Sequence, residues 1–351
     1  MRGRARPITR SAVAVAALML VMVPALSSSA SQTAVTAQGR GATAEPASGD
    51  NPKPTTYDDY VALGGSFTAG PLIPRIRLDP LGCARSTSNY PAFLAAYFKV
   101  KTYTDVSCSA AETIHMSEPQ ATFAGTNAPQ LDVLDEGTDL VTLGIGGNDY
   151  SLFGDLITEC AKVRESDPTG APCKEKYTVD GVDTKIRDAK RIEARVAAVV
   201  AGIKERSPNA TVVVVNYLRI LPPSGTCPDV VPFADGDYAW GNEVEKKLNT
   251  SLRNAARSYQ ATYVNMFPAS LGHDACRGSE AWVNGSELKP LRAYPYHPFR
   301  SGMRGIAKQT YRTLTDQPAP SVAPRIPDVP TMSRQDQLNL STLLIRQPPI
   351  R

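Results

Sequence analysis

Histidine is scarce in this chain, and several common catalytic motifs are absent. Only three histidines occur among 351 residues, and none lies in an H-E-x-x-H sequence, which argues against a zincin-type metal site. The chain has no G-x-S-x-G elbow, which argues against the α/β-hydrolase fold. It also lacks G-x-G-x-x-G and G-x-x-x-x-G-K-[ST], so nothing supports a nucleotide cofactor. We therefore expect an activity that needs no metal and no organic cofactor.

An excess of charge of one sign is also missing beyond the N-terminus. The formal net charge is +4, and the first 37 residues contain four arginines and no acid. The remainder is balanced, so its net charge gives no reason to expect a nucleic-acid partner. With 42% apolar and 21% charged residues, the composition is that of a globular protein. It excludes a mostly disordered chain, a coiled coil and a collagen.

The N-terminus has the pattern of an export signal. Residues 1–10 are basic, residues 11–26 form an apolar run interrupted by Pro24, and small residues follow. This run is shorter than the roughly 20 residues that a membrane span needs. We predict a signal peptide over residues 1–37, cleaved after Ala30 or Ala37, and a secreted protein. No cysteine lies near these positions, so a membrane anchor is not expected.

The rest of the chain divides by composition into three parts. Residues 38–56 are small and polar, as in a linker, and residues 57–315 have the size of one α/β domain. From residue 316 onward prolines recur, so residues 316–351 are interpreted as a proline-rich C-terminal tail. Residues 333–346 have the leucine pattern of a short helix, although the simplest interpretation is a loosely attached tail. No feature indicates an oligomer, and we expect a monomer.

Short apolar runs alternate with helical patterns in the central domain. The runs are continuous rather than alternating, which is typical of parallel strands buried on both faces. They lie at residues 59–63, 103–106, 139–145, 211–216 and 261–264. Residues 184–206 carry a helical apolar stripe that ends at Ser207 and Pro208, and residues 241–257 form a second helical pattern. This alternation predicts a three-layer α/β/α sandwich with a mostly parallel sheet.

Ligands of such sheets bind beyond the carboxyl ends of the strands, so the segments that follow the strands are candidates for the site. Ser66 follows Gly64 and Gly65 at the expected start of a helix, where free N–H groups favour a nucleophile and its oxyanion. A simple helix cap is its alternative role. Asn148 follows the third run and offers a side-chain donor to an oxyanion, unless it only forms a turn. Residues 107–112 could direct a backbone N–H to the same place.

A hydroxyl nucleophile needs a base, which is most often histidine. His297 directly precedes an expected C-terminal helix and is the candidate. His115 and His273 lie in polar, loop-like segments, and we assign them surface or structural roles.

The six cysteines all lie in the central domain, and none forms a C-x-x-C pair. An even number in an exported protein indicates three disulfides, and six cysteines allow 15 pairings. The lack of closely paired ligands argues against the alternative of a zinc site.

Four sequence blocks, in this order, resemble the SGNH/GDSL hydrolase superfamily. They are VALGGSFTAG (residues 61–70), CSAA (108–111), GGND (146–149) and HP (297–298). Each block is weak alone, but their order is specific, and the similarity extends over residues 57–315. It is strongest to secreted actinobacterial lipases and esterases with three disulfides. The resemblance implies a flavodoxin-like α/β/α fold and hydrolysis of an ester or lipid substrate through a covalent acyl-enzyme.

Carried over to matching positions, the resemblance makes Ser66 the nucleophile and His297 the general base. The backbone N–H groups of Ser66 and Ala110 and the side chain of Asn148 would form the oxyanion hole. The cysteines of the relatives pair consecutively. This order implies the disulfides Cys83–Cys108, Cys160–Cys173 and Cys227–Cys276.

Three positions depart from the family pattern. Gly65 replaces the usual aspartate, and Ala110 replaces the usual glycine. Tyr294 replaces the triad aspartate that many members have three residues before the histidine. Some members use a main-chain carbonyl instead, so we expect the Tyr294 carbonyl to accept from His297 Nδ1 in a Ser-His dyad. Without a buried acid partner, we expect a pH optimum on the alkaline side.

Several alternatives remain open at the level of the sequence. Specificity resides in loops, so the fold does not choose among an esterase or lipase, a phospholipase and a carbohydrate deacetylase. Gly65 and Ala110 also leave open a catalytically weak binding protein on the same scaffold. Residues 166–182, held by the implied Cys160–Cys173 bond, are either a wall of the substrate site or surface decoration.

Overall fold

A computed structural model describes residues 56–346 of the chain, so the predicted signal peptide, its cleavage positions and nearly all of the linker lie outside the described residues. The strands are β1 (Asp59–Gly64), β2 (Thr102–Asp105), β3 (Gln120–Thr122), β4 (Gly125–Asn127), β5 (Leu140–Gly144), β6 (Thr178–Val179), β7 (Val182–Asp183), β8 (Thr211–Val215) and β9 (Thr262–Val264). The helices are α1 (Ser66–Ala69), α2 (Tyr90–Phe98), α3 (Leu152–Val163), α4 (Pro172–Lys176), α5 (Thr184–Arg206), α6 (Asp235–Ser258), α7 (Met266–Ala269), α8 (Arg300–Thr315) and α9 (Arg334–Arg346).

Five strands form one parallel sheet in the order β2-β1-β5-β8-β9. Each of the five predicted apolar runs supplies one of these strands, which confirms the predicted parallel sheet. This is the strand order of flavodoxin-like folds: β2 lies on one side of β1, and the chain then crosses to the other side of β1 to form β5, β8 and β9. A crevice therefore opens where the carboxyl ends of β1 and β5 lie side by side. The strand pairs β3–β4 and β6–β7 form separate antiparallel hairpins.

Side chains of the sheet alternate between two helical layers. Val61, Val141 and Val212 belong to the core on the side of α3, α5 and α6. Tyr60 and Leu140 belong to the core on the side of α2 and α8. Because both faces are covered, the strands are apolar at nearly every position rather than at every second one. The three-layer α/β/α sandwich is thus confirmed.

Local sequence explains where the two longest helices begin and end. Asp183 caps α5 by accepting a hydrogen bond from the backbone N–H of Ile186 at 2.9 Å. The same helix ends before Ser207, as predicted. Helix α6 begins at Asp235, earlier than the predicted start at residue 241. The reason is tertiary: Gly236 donates to the Gly170 carbonyl at 2.8 Å, and a Cβ at Gly236 would lie only 2.6 Å from that oxygen.

The segment after residue 315 packs on the domain. The backbone N–H of Arg325 donates to Ala92 O at 2.8 Å, and that of Met332 donates to Ile76 O at 2.8 Å. Residues 334–346 form α9, as the leucine pattern predicts, and Leu340 in it is only 4% exposed. The interpretation as a loosely attached tail is therefore wrong for the described part. Between α8 and α9, prolines prevent a regular helix, but other backbone groups of this stretch still form hydrogen bonds with the domain.

Three disulfides join the cysteines as the resemblance implies: Cys83–Cys108, Cys160–Cys173 and Cys227–Cys276. The first links the loop after β2 to the segment before α2. Within the described range, none of the helices has both the length and the apolar character required to span a bilayer.

Candidate active site

Ser66 and His297 come together at the carboxyl edge of the sheet. Ser66 is the first residue of α1, directly after β1, and His297 lies just before α8. Although 231 positions separate them, His297 Nε2 is 2.7 Å from Ser66 Oγ. This is the distance at which an imidazole accepts the proton of a hydroxyl nucleophile. The structure thus brings together the two residues that the sequence singles out.

The other ring nitrogen of His297 has a different partner from the one predicted. His297 Nδ1 lies 2.7 Å from the carbonyl oxygen of Pro295. The expectation that the Tyr294 carbonyl fills this role is wrong, because that oxygen accepts from the backbone N–H of His297 at 3.2 Å and from Asn284 Nδ2 at 3.3 Å. Tyr296 adopts φ +58°, and this turn directs the preceding carbonyl at the ring. A main-chain acceptor fixes the tautomer that leaves Nε2 free to act as a base.

Two aromatic side chains lie close to the half-buried imidazole of His297. The Phe67 and Tyr294 rings lie 5.3 Å and 5.4 Å from the His297 ring, centre to centre. Burial lowers the pKa of His297 to about 4, and the hydrogen bond to the Pro295 carbonyl opposes this only in part. His297 is therefore neutral, and able to accept a proton, well below neutral pH. This environment does not favour the alkaline optimum expected from the sequence.

Three candidate oxyanion donors belong to segments that meet at the Ser66 turn. Asn148 Nδ2 donates to the Ala111 carbonyl at 2.9 Å, which orients the amide and leaves its second hydrogen free. A Cβ built on Gly65 would lie 3.6 Å from this nitrogen and 3.4 Å from the Ala111 carbonyl, so both segments adjoin the Ser66 turn. Within residues 56–346, the backbone N–H groups of Ser66 and Ala110 have no hydrogen-bond acceptor. Free, preorganised donors of this kind stabilise an oxyanion.

Asp149 holds the Asn148 turn in place, a role that the sequence analysis missed. Its carboxylate is 0% exposed and accepts from the Thr113 backbone N–H at 3.1 Å and from Arg195 at 2.8 Å. It thereby joins the loop after β5 to the loop after β2 and to α5. The only sequence signal was an acid directly after Asn148 at a strand end, which a turn explains equally well.

Several residues beside the site have left-handed backbone conformations that non-glycine residues seldom adopt. Ala110 has φ +63°, Tyr150 has φ +55°, and Tyr296 has φ +58°. Ala110 is itself a proposed oxyanion donor, Tyr150 is two residues from Asn148, and Tyr296 is next to His297. Such conformations persist only where surrounding contacts enforce them, and they concentrate at functional sites. At Ala110 the family's usual glycine would adopt the same angle without strain.

A small apolar cavity reaches Tyr296, the residue before His297 in the chain. Its volume is about 20 Å³, and it is bounded by side chains of α3 and α6 together with Tyr296. One of them, Glu245, is 2% exposed and accepts from the Ile220 backbone N–H at 3.0 Å. Burial raises the pKa of Glu245 to about 8. No residue of the 166–182 segment lines this cavity, and both roles left open for that segment stay predictions.

The remaining histidines have structural contacts. His115 Nδ1 accepts from the Glu112 backbone N–H at 2.9 Å, and the His273 ring stacks on Trp282 with centres 4.2 Å apart. Over the range 56–346, no three His, Cys, Asp or Glu side chains are grouped so that they could hold a metal ion.

Comparison with known proteins agrees with this geometry. The sequence model of the GDSL-like Lipase/Acylhydrolase family matches residues 62–304. The chain belongs to this family. It is 38% identical over 264 residues to Lipase 2 of Streptomyces coelicolor, covering 73% of this chain and 85% of that protein. It is 28% identical over 244 residues to a lipase of Streptomyces rimosus, covering 70% of this chain and 82% of the relative.

Solved structures share the fold. The GDSL-like chain matches a phospholipase A1 from Streptomyces albidoflavus with a TM-score of 0.60 and 26% identity, covering 74% of this chain and 99% of that one. An extracellular lipase from Streptomyces rimosus matches with the same TM-score of 0.60 and 26% identity, covering 73% and 99%. This GDSL-like chain is therefore a carboxylic ester hydrolase with the α/β/α fold of its family.

Proposed function

We propose that the protein is a secreted serine esterase or lipase that uses a Ser66–His297 dyad and a covalent acyl-enzyme. The 2.7 Å contact between His297 Nε2 and Ser66 Oγ carries this proposal, because it pairs a nucleophile with a base. The Pro295 carbonyl takes the place that a carboxylate has in a triad.

The first half of the reaction forms the acyl-enzyme. Ser66 Oγ attacks the ester carbonyl carbon while its proton moves to His297 Nε2. The carbonyl oxygen becomes an oxyanion and accepts from the Ser66 and Ala110 N–H groups and from Asn148 Nδ2. The tetrahedral intermediate then collapses, the bond to the alcohol oxygen breaks, and His297 returns the proton to the leaving alcohol.

The second half regenerates the enzyme. Water attacks the acyl carbon and gives a proton to His297 Nε2, and the same three donors hold the oxyanion. When the Ser66–acyl bond breaks, the proton returns to Ser66 Oγ and a carboxylic acid leaves. Because His297 stays neutral at low pH, the base is available for both steps.

Secretion rests on three observations. The N-terminal sequence has the pattern of a signal peptide, disulfides persist mainly outside the cytosol, and a structural relative is named an extracellular lipase. Mass spectrometry of protein from the medium of a producing culture would identify the mature N-terminus. An intact residue 1 on the exported protein would contradict the proposed cleavage.

A panel of p-nitrophenyl esters from acetate to palmitate tests the catalytic proposal. We expect Ser66→Ala to lose turnover and Ser258→Ala, a matched change at an exposed serine of α6, to keep it. Phosphatidylcholine and an acetylated polysaccharide belong in the same panel, because one relative is named a phospholipase A1. A folded wild-type protein that hydrolyses none of these would support the binding-protein alternative. Equal activity in Ser66→Ala would refute the dyad.

A further inference from the structure

Helix α8 carries a line of cations along one side. Arg300, Arg304, Lys308 and Arg312 follow one another at intervals of four, so they stack on one face of the helix. All four are exposed, and α8 contains no acidic residue. Between residues 56 and 346, neither Arg300, Arg304 nor Lys308 forms an ion pair. The balanced charge of the chain beyond its N-terminus conceals this local concentration.

Stability of the helix does not explain the pattern. Like charges four residues apart destabilise a helix by about 0.2–0.5 kcal/mol per pair. At two positions this cost is offset in part, because the guanidinium groups of Arg300 and Arg304 lie 5.5 Å and 5.4 Å from the centre of the same Phe93 ring, which attracts cations. Four cations on one exposed helix face, without an acidic residue among them, favour a use outside the fold.

The four cations line a groove. Its volume is about 690 Å³, and no acidic side chain contributes to its lining. Trp282 forms part of one wall and lies against α8, where Gly302 and Gly305 leave room for it. Pro318 and Ala319, from the segment that packs back on the domain, close the far end. The groove therefore combines positive charge with one large aromatic side chain.

The groove begins at the catalytic edge of the sheet. Arg300 follows His297 closely, and the stripe from Arg300 to Arg312 extends for about 18 Å at the helical rise per residue. Two more cations flank its start, since Lys289 and Arg292 lie 5.6 Å and 5.2 Å from the centre of the Phe299 ring. A negatively charged surface bound here would lie next to the opening of the site.

We propose that the α8 groove binds the phosphate groups of an anionic lipid surface and holds the active-site edge against it. The charge is complementary: each basic residue near an anionic membrane adds to binding, and several act together. Trp282 has the amphipathic ring that suits a lipid–water boundary. The reason for such docking rests on the proposed lipid or ester substrate. The docking itself is tested independently, because vesicle binding is measured without catalysis.

The test measures vesicle binding with catalysis removed. Mature protein carrying Ser66→Ala is sedimented with vesicles of phosphatidylcholine alone or mixed with about one-third phosphatidylglycerol. We expect binding to the anionic vesicles only, and loss of that binding when the salt concentration rises. Adding Arg304→Gln and Lys308→Gln should weaken the partition coefficient about 30-fold in total, at about fivefold per charge.

Matched controls separate docking from folding. Lys190→Gln with Arg257→Gln removes the same charge from exposed positions of α5 and α6 and should change binding less than about threefold. In the active background, the groove variant should hydrolyse a soluble short-chain ester at the wild-type rate, since neither residue is in the site. Its melting temperature should change little, because the like-charge repulsion that is removed and the Phe93 contact that Arg304 loses are similar in size.

Several results would overturn the proposal. Equal binding to neutral and anionic vesicles, or equal loss in both double variants, would show that the groove is not the docking surface. Tighter binding to a soluble polyanion such as heparin would assign the groove to a polymer. Displacement by inorganic phosphate, beyond the effect of chloride at equal ionic strength, would assign it to a free phosphate ligand. A wild type that hydrolyses soluble esters but ignores anionic vesicles would refute docking and leave the proposed function intact.

Discussion

The acid limb of the pH–rate profile is the most direct test of the His297 environment. Burial lowers the pKa of His297 to about 4, and its Nδ1 faces a neutral carbonyl rather than a carboxylate. The centre of the Tyr294 ring is 5.4 Å from that of the His297 imidazole, so Tyr294→Asp would place a negative charge near the imidazole. Tyr294→Asn is the matched change without the charge.

The size of the expected shift follows from the separation of the two groups. At about 6 Å and an effective dielectric constant of about 20, two unit charges interact by about 2.8 kcal/mol. This corresponds to about two pKa units. The carboxylate stabilises the imidazolium, so His297 becomes protonated at a higher pH. We expect a midpoint near pH 4 in the wild type and in Tyr294→Asn, and near about pH 6 in Tyr294→Asp.

The assay is kcat/KM for a soluble short-chain ester, because this quantity reports the groups of the free enzyme. The released alcohol is measured by chromatography, which does not depend on the ionisation of a chromophore. A wild-type midpoint near the ordinary histidine value of about 6.5 would refute the buried environment. Equal shifts in Tyr294→Asp and Tyr294→Asn would show that the packing of Tyr294, rather than charge, sets the midpoint of the acid limb.

Three further predictions concern the candidate oxyanion donors and the buried carboxyl of Glu245. Asn148→Ala should lower kcat by about 10²–10³-fold with little change in KM; a change in KM alone would assign Asn148 to ground-state binding. Ala110→Gly removes the strain of φ +63° and keeps the N–H, so kcat should hold while the melting temperature rises by about 2 °C; a fall in kcat would contradict this. Buried Glu245 has a pKa raised to about 8, so the folded protein keeps a proton that the unfolded chain releases above about pH 4.3, and the wild type loses stability as pH rises between these values. Glu245→Gln should escape this loss, so its advantage in urea unfolding should grow from pH 5 to pH 8; a constant difference would refute the raised pKa of Glu245.

Much of the catalytic geometry was accessible from short segments of sequence. A continuous apolar run followed by two glycines and Ser66 predicts a strand, a tight turn and a helix start, and the structure has these elements at these positions. The same logic locates Asn148 after β5. Both sit at the carboxyl edge because parallel strands bring their ends to one side of the sheet. The cysteine pairing came from the resemblance, since spacing alone allowed 15 pairings.

Other features depend on contacts between distant segments. Which carbonyl faces His297 Nδ1 is decided by the φ of Tyr296 and by Asn284, whose side chain occupies the Tyr294 oxygen. The attachment of the C-terminal segment depends on backbone groups of α2 and of the segment around Ile76. Net charge could not reveal the α8 stripe, because a sum over the chain does not record where the cations lie.

The sequence by itself determined the strands and the fold class, excluded common cofactor motifs, and singled out Ser66 and His297 as candidates for the nucleophile and the base, because these follow from local patterning, from residue types with few chemical uses and from the family resemblance. Only the tertiary structure decided the partner of the imidazole, its low pKa, the anchoring of Asn148 by Asp149 and the groove along α8. Each of these is a property of the space between segments: a distance, a degree of burial or a shared surface. No single stretch of the chain encodes such a property alone.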